Sequence, residues 1–146
     1  MAKRINDQET QNLGYLVAER VPSVEEYNNV RVAARLKRKN TEAASIGLAN
    51  TLFGTCIETA GQTVGIGRVV GDGALYFEVV DIAVVPEHQG KGLGALIMES
   101  LMSRIREGAR PGAFVSLVAG EGVSPFYERY GFTVRPPESP GMTMTI

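Results

Sequence analysis

A glycine-rich turn and two carboxylates set in an apolar run are the residues of this chain whose types and spacing could do chemistry. The turn reads Gln89-Gly90-Lys91-Gly92-Leu93-Gly94 and precedes an amphipathic stretch. Its main-chain N–H groups would therefore stand at a helix N-terminus, where unpaired donors and aligned peptide dipoles favour phosphate oxygens. Gly90, Gly92 and Gly94 leave the backbone uncovered, and Lys91 lies where its ammonium could reach a phosphate. The alternative is that glycines at a strand-to-helix corner only permit a tight bend. Two known phosphate loops do not fit. Gly90-Lys91 is followed by Gly92, not by the Ser or Thr of a Walker A loop, and the glycine spacing differs from the dinucleotide fingerprint.

Glu78 and Asp81 interrupt the run Ala74 to Val85, which is otherwise almost wholly apolar and reads as a central strand covered on both faces. They differ by an odd number of positions. An undistorted strand points them to opposite faces, and a bulge would change that. Each could instead cap a helix or pair with Arg68 or Lys91. His88, the sole histidine, falls in the turn and reads as an exposed loop residue. Cys56, the sole cysteine, has no histidine near it in sequence and reads as a small core residue.

The elements that must position these residues follow from periodicity and punctuation. Tyr15 to Val21 predicts a first strand, ended by Pro22. Ser23 with Glu26 three residues on is a capping box, opening a helix expected to run to about Lys39. A second helix is expected from Thr41, as its cap, to about Asn50. Leu52 to Glu58 and Gln62 to Val70, separated by Ala60 and Gly61, read as a hairpin. After the glycine turn, Leu93, Leu96, Ile97, Leu101, Met102 and Ile105 recur at helical spacing. Phe114 to Ala119 predicts a short strand, and Ser124 is expected to cap a brief helix through Arg129. Phe132 to Arg135 and Gly141 to Ile146 predict two last strands around a proline-rich bend. The order β-α-α-β-β-β-α-β-α-β-β is that of a mixed α/β layer structure, with the turn at the carboxyl end of a strand, where such sheets bind ligands.

Composition narrows the function classes. The 146 residues fit one domain, and 44% hydrophobic with 21% charged residues is globular composition. Lys and Arg number 15 against 16 Asp and Glu, so no net basic charge recommends nucleic acid or anionic lipid as a partner. A single cysteine excludes an intrachain disulfide and a cysteine-rich metal site, and no metal is expected. Met1 to Asn12 lacks the apolar run of a signal peptide, and no stretch reaches the about 18 apolar residues of a membrane span. A cytoplasmic protein with a loosely held first dozen residues is the expectation.

Two segments carry a family resemblance. Asp81-Ile82-Ala83-Val84-Val85-Pro86-Glu87-His88 followed by Gln89 to Gly94 resembles the Gln/Arg-x-x-Gly-x-Gly/Ala segment of the GNAT superfamily of N-acetyltransferases. Phe126-Tyr127-Glu128-Arg129-Tyr130-Gly131-Phe132 is similar to that family's Phe-Tyr-x-x-x-Gly-Phe segment. The strand segment also resembles the plant arylalkylamine (serotonin) acetyltransferase branch. One departure is Gly120, where many relatives carry an Asn seven residues before the tyrosine.

The resemblance implies a mostly antiparallel central sheet flanked by helices, acetyl-CoA as cosubstrate, and a homodimer. The pantetheine arm would lie along Ile82, Ala83 and Val84, and the pyrophosphate would meet Gln89, Gly90, Lys91, Gly92, Leu93, Gly94 and Ala95. Phe126 would also touch the coenzyme, Tyr127 would protonate the departing thiolate, and Tyr130 would pack. Transfer to an amine needs a base, because an alkylamine with a pKa of roughly 10 is mostly protonated at neutral pH. Glu78 is the first candidate and Asp81 the second. A main-chain N–H of Ile82 to Val84 would serve the oxyanion. The acceptor is expected to be a small (aryl)alkylamine attacking directly in a ternary complex, in a pocket drawn from Leu48, Phe53, Tyr76, Phe77, Met142 and Met144. An amino sugar, a protein amine, or coenzyme sensing without turnover are the alternatives.

Overall fold

A computed structural model describes residues 13–146; the expected loose segment Met1 to Asn12 lies outside the described residues. Strands β1 (Leu16–Ala18), β2 (Phe53–Thr59), β3 (Gln62–Gly71), β4 (Tyr76–Val84) and β5 (Phe114–Ser116) form one sheet in chain order. The first four pair antiparallel, and β5 joins β4 in parallel. Helices α1 (Val24–Ala33), α2 (Thr41–Ala49), α3 (Leu93–Gly108) and α4 (Ser124–Glu128) complete the mixed α/β architecture expected from the sequence.

Local chemistry sets the boundaries. Ser23 Oγ accepts from the Glu26 N–H and Glu26 returns the bond to the Ser23 N–H, the reciprocal capping box read from the sequence. The helix stops at Ala33, short of Lys39, because Arg35 turns left-handed (φ 63°) and the Leu36 N–H bonds back to the Arg31 carbonyl at 2.8 Å. Asn40, not Thr41, caps α2 through its side chain, and Val123, not Ser124, precedes α4 without a side-chain cap. Ala60 and Gly61 both take positive φ, as a two-residue hairpin turn requires.

The two last strands do not form: Arg129 to Ile146 contains neither helix nor strand, and Val134, Met142, Met144 and Ile146 are exposed. Pro136, Pro137 and Pro140 supply no N–H to a ladder.

Helix α3 buries Leu96, Ile97, Met98, Leu101 and Ile105 on one face of the sheet, against Ile57, Val69, Phe77 and Val79. The other face is covered by α1 and α2, with Tyr27, Val30, Ala44 and Leu48 packed on Cys56, Ile66 and Ala83. Between these layers β4 carries one residue too many. Arg68 pairs with Val80 and Ile66 with Ala83, so Gly67 faces both Asp81 and Ile82, and Asp81 takes φ 58°. Phe77 and Val79 point toward α3 before this bulge and Ile82 does so after it, so the face parity of the strand is reversed.

Asp81 is thereby turned toward α1, where it is held from three sides. Arg31 Nη1 lies 2.5 Å from one carboxylate oxygen; Arg68 Nε at 2.7 Å and the Tyr27 hydroxyl at 3.1 Å reach the other. The three charged side chains are only 10 to 16% exposed.

Two stability predictions follow from the bulge. Asp81→Asn leaves two mostly buried guanidiniums without their counter-ion and lowers unfolding free energy in urea titrations by about 3–5 kcal/mol. In Gly67→Ala the new methyl would stand 2.4 Å from Ile97 Cγ2 and 2.6 Å from Ile82 Cδ1. The same titrations should read a loss of about 1–3 kcal/mol from this overpacking.

Candidate functional site

The sheet opens where β5 ends. The last β4–β5 pair is Glu78 with Ser116, and β4 continues to Val84 with β3 alone as its neighbour. Strand β5 stops at Ser116, short of the expected Ala119, and this shortening creates the fork. The Val84 carbonyl points to the open side, where it accepts from Gln89 Nε2 at 2.8 Å. The Val85 N–H bonds to the Val64 carbonyl on the other side, so alternation directs the N–H and C=O of Ile82 into the opening. Ala83, by contrast, buries its methyl among α1 and α2.

The open edge leads into the glycine turn. A single 3-10 turn, Pro86–His88, redirects the chain, and Gln89, Gly90, Lys91 and Gly92 are all exposed. Gly90 (φ 74°) and Gly92 (φ 78°) are left-handed, a backbone that side chains resist. Gly92 begins α3 with no side-chain cap, and the first helical bond runs from the Leu96 N–H to the Gly92 carbonyl at 3.2 Å. The N–H groups of Leu93, Gly94 and Ala95 thus have no acceptor among the described residues. Leu93 is 3% exposed and anchors this uncapped end in the core.

Lys91 does not hang free. Its ammonium donates to the Tyr15 hydroxyl at 3.2 Å, and that hydroxyl lies 2.7 Å from His88 Nδ1. His88 is therefore a half-buried partner of Tyr15, edge-on to its ring, and not the exposed loop residue expected.

Helix α4 brings aromatic rings to the opposite wall. Phe126 packs over Gly94, with its Cζ 3.5 Å from where a Cβ would stand, and meets Tyr127 edge-to-face at 5.0 Å. The Tyr130 hydroxyl donates to the Ala95 carbonyl at 3.4 Å, tying α4 to the first turn of α3. Tyr127 is half-buried, its hydroxyl has no hydrogen-bond partner among the described residues, and burial pushes its phenol above the ordinary value near 10.

The two carboxylates share a face, because the bulge reverses parity between them. Glu78 is exposed at the apex of the fork, whereas both oxygens of Asp81 are already occupied. The pairing of Asp81 with Arg68, one of the alternatives legible in the sequence, is present. Cys56 is fully buried and burial pushes its thiol up to about 11, so it stays protonated.

The apolar, sulfur-lined pocket does not assemble. Phe77 lies under α3, Phe53 under Arg104, Tyr76 is exposed beside Phe114, and Met142 and Met144 are exposed. Leu48 lines a cavity of about 200 Å³ together with Tyr27, Gly47, Lys39 and Arg68. Sequence reading missed Tyr27, Arg31 and Lys39 as neighbours of the site. The signal that could have found Arg31 is a charge four residues after Tyr27, on the same face of α1.

Comparison with known proteins agrees with this architecture. The acetyltransferase (GNAT) domain family matches residues 51–134, more than half of the chain. A crystal structure from meticillin-resistant Staphylococcus aureus, of a protein of unknown function described as a probable acetyltransferase, superposes with a TM-score of 0.85. It is 36% identical over 90% of this chain and 99% of its own. Serotonin N-acetyltransferase 2 of rice, a chloroplastic protein, is 36% identical over 84 residues, 58% of this chain. The chloroplastic GCN5-related N-acetyltransferase 2 of Arabidopsis thaliana is 34% identical over 81 residues, 56% of this chain. These matches span 41% and 31% of the two plant proteins' own lengths. With the forked strand, the uncapped glycine turn and the aromatic helix in the matched region, the chain belongs to the GNAT acetyltransferases.

Proposed function

We propose that this chain binds acetyl-CoA across the fork and transfers its acetyl group to a small primary amine by direct attack in a ternary complex. The observation that carries the reading is a run of main-chain groups without partners among the described residues, from the N–H and C=O of Ile82 and the N–H of Val84 on the open edge of β4 to the three N–H groups at the start of α3. An amide-bearing arm satisfies such an edge as an added strand would, and a diphosphate suits a helix N-terminus. Bound there, the coenzyme supplies an activated acyl group.

The chain's own groups account for the rest. The main-chain N–H of Ile82 donates to the carbonyl oxygen as negative charge develops, at no reorganisation cost because the bulge already holds it. Tyr127, kept protonated by burial, donates its phenolic proton to the departing sulfur. Glu78 takes the proton of the amine, directly or through water. Its support over Asp81 is an unengaged, exposed carboxylate at the apex of the fork, against one filled by two guanidiniums and a phenol. Lys91 and Tyr15 steady the turn, and the Lys91 ammonium adds positive charge beside the diphosphate. The name of the rice relative supports an arylalkylamine acceptor, and Tyr27 and Leu48 offer such a group an apolar wall.

Calorimetric titration with CoA and acetyl-CoA, followed by a thiol-release screen with acetyl-CoA against a panel of amines, tests the reading. Absence of heat with either coenzyme form overturns it. Tyr127→Phe is expected to keep coenzyme affinity within about threefold while kcat falls about 100-fold. Because the phenol titrates above 10, the wild-type rate should hold on the alkaline side through about pH 9. Glu78→Gln is expected to lower kcat at neutral pH by about 100-fold or more, with the deficit shrinking as pH rises and the amine deprotonates unaided. A full rate in that variant removes Glu78 as the base.

A further inference from the structure

The loop between α1 and α2 concentrates positive charge. Arg35, Lys37, Arg38 and Lys39 fall within five residues, all exposed, in a chain whose formal net charge is −1. Two buried polar side chains of α1 hold this loop in place. Asn28, fully buried, accepts from the Lys39 N–H at 2.9 Å and donates to the Lys39 carbonyl at 3.1 Å. Arg31 Nε donates to the Lys37 carbonyl at 3.0 Å. Burying an amide and a guanidinium to fix a surface loop implies that the loop's position matters beyond its own packing.

The loop borders the cavity of about 200 Å³, whose lining includes Lys39 and Arg68 as cations and no acid. Asp81 offsets one of the two guanidiniums that meet it, and Lys39 adds a further positive charge. The pairing with Asp81 uses Arg68 Nε, and Nη1 bonds to the Gly47 carbonyl and Thr51 Oγ1. Nη2 of Arg68 and Nη2 of Arg31 have no partner among the described residues. No buried side-chain nitrogen there lacks one, so both Nη2 atoms reach solvent. A purely structural role for Arg68 explains its Nε and Nη1 but not the Nη2 it leaves to solvent in a residue that lines the cavity with Lys39.

We infer that this cavity is the acceptor pocket and that it selects primary amines carrying a carboxylate or phosphate, with the anionic group set against Lys39 and Arg68. The inference rests on the acetyl-transfer reading above and narrows its acceptor from any arylalkylamine to an amine that also carries an anion. Guanidinium and ammonium together match a planar or tetrahedral anion, while Tyr27 and Leu48 face the carbon skeleton. Arg68 also holds Asp81 at the bulge, so an anion bound on Arg68 lies one side chain from the strand segment whose N–H groups face the fork.

Matched pairs of amines test this: tyrosine against tyramine for a carboxylate, and glucosamine 6-phosphate against glucosamine for a phosphate. The anionic member of at least one pair is expected to show kcat/KM at least 10-fold above its neutral partner, and which pair does so identifies the anion. Lys39→Gln, at an exposed position, should remove about 10-fold or more of that preference through KM, leaving the neutral amines and the KM for acetyl-CoA unchanged. Binding is read separately by calorimetry of the same four compounds with the CoA-saturated protein. Equal rates within both pairs, or a Lys39→Gln loss shared by neutral and anionic amines, overturns the anion site while transfer stands. Selective binding of an anionic amine without thiol release leaves the anion site standing and overturns transfer. If no compound of the four binds or reacts, the anion site is overturned.

Discussion

A carboxylate withdrawn from water between two guanidiniums is stable only while both remain, and Asp81 occupies that position where β4 carries its extra residue. The left-handed backbone at Asp81 costs free energy for a residue with a side chain. The ion cluster offsets it, and Gly67 leaves room for Ile82 to drop toward α3. One inserted residue thus sends Ile82 and Val84 to one layer, turns Asp81 to the other, and bends the strand as its pairing with β5 ends. Helix α1 is tied to the same point through Tyr27 and Arg31. Movement of the bulge would shift the fork, the helix and the cavity together.

Recognition as proposed for this architecture is mostly a matter of main-chain groups. The glycine turn has no side-chain cap, its uncapped N–H groups are the proposed binding feature, and Leu93 secures the helix from within. Rigidity comes instead from the buried face of α3 and from Tyr130, which links α4 to Ala95. Side chains carry the two proposed polar roles, proton transfer at the apex of the fork and charge on the α1–α2 face.

The α1–α2 face departs most from what the primary structure implied. A helix expected to run to Lys39 ends at Ala33, where Arg35 takes a left-handed backbone and the Leu36 N–H closes on the Arg31 carbonyl. The freed residues become a basic loop, pinned by Asn28 and Arg31. At the other end of the chain the converse holds. Apolar alternation in the last fifteen residues looks like strand, but prolines and the short β5 leave no ladder for it to join.

Periodicity and punctuation in the sequence alone determined the order of elements through α4, the hairpin at Ala60-Gly61, the capping box at Ser23 and the helix that follows the glycine turn. These are local features, set by hydrogen bonds and φ angles within a few residues. The turn and the Phe-Tyr frame were legible for the same reason: their chemistry lies in contiguous backbone and side chains. Only the tertiary structure decided which carboxylate is free, because that depends on a one-residue bulge and on Arg31 and Tyr27, about fifty residues away in the chain. It decided likewise that the proposed apolar pocket does not gather and that Lys39 and Arg68 come to line one cavity with Tyr27 and Leu48, since convergence of distant side chains is a property of packing and not of spacing.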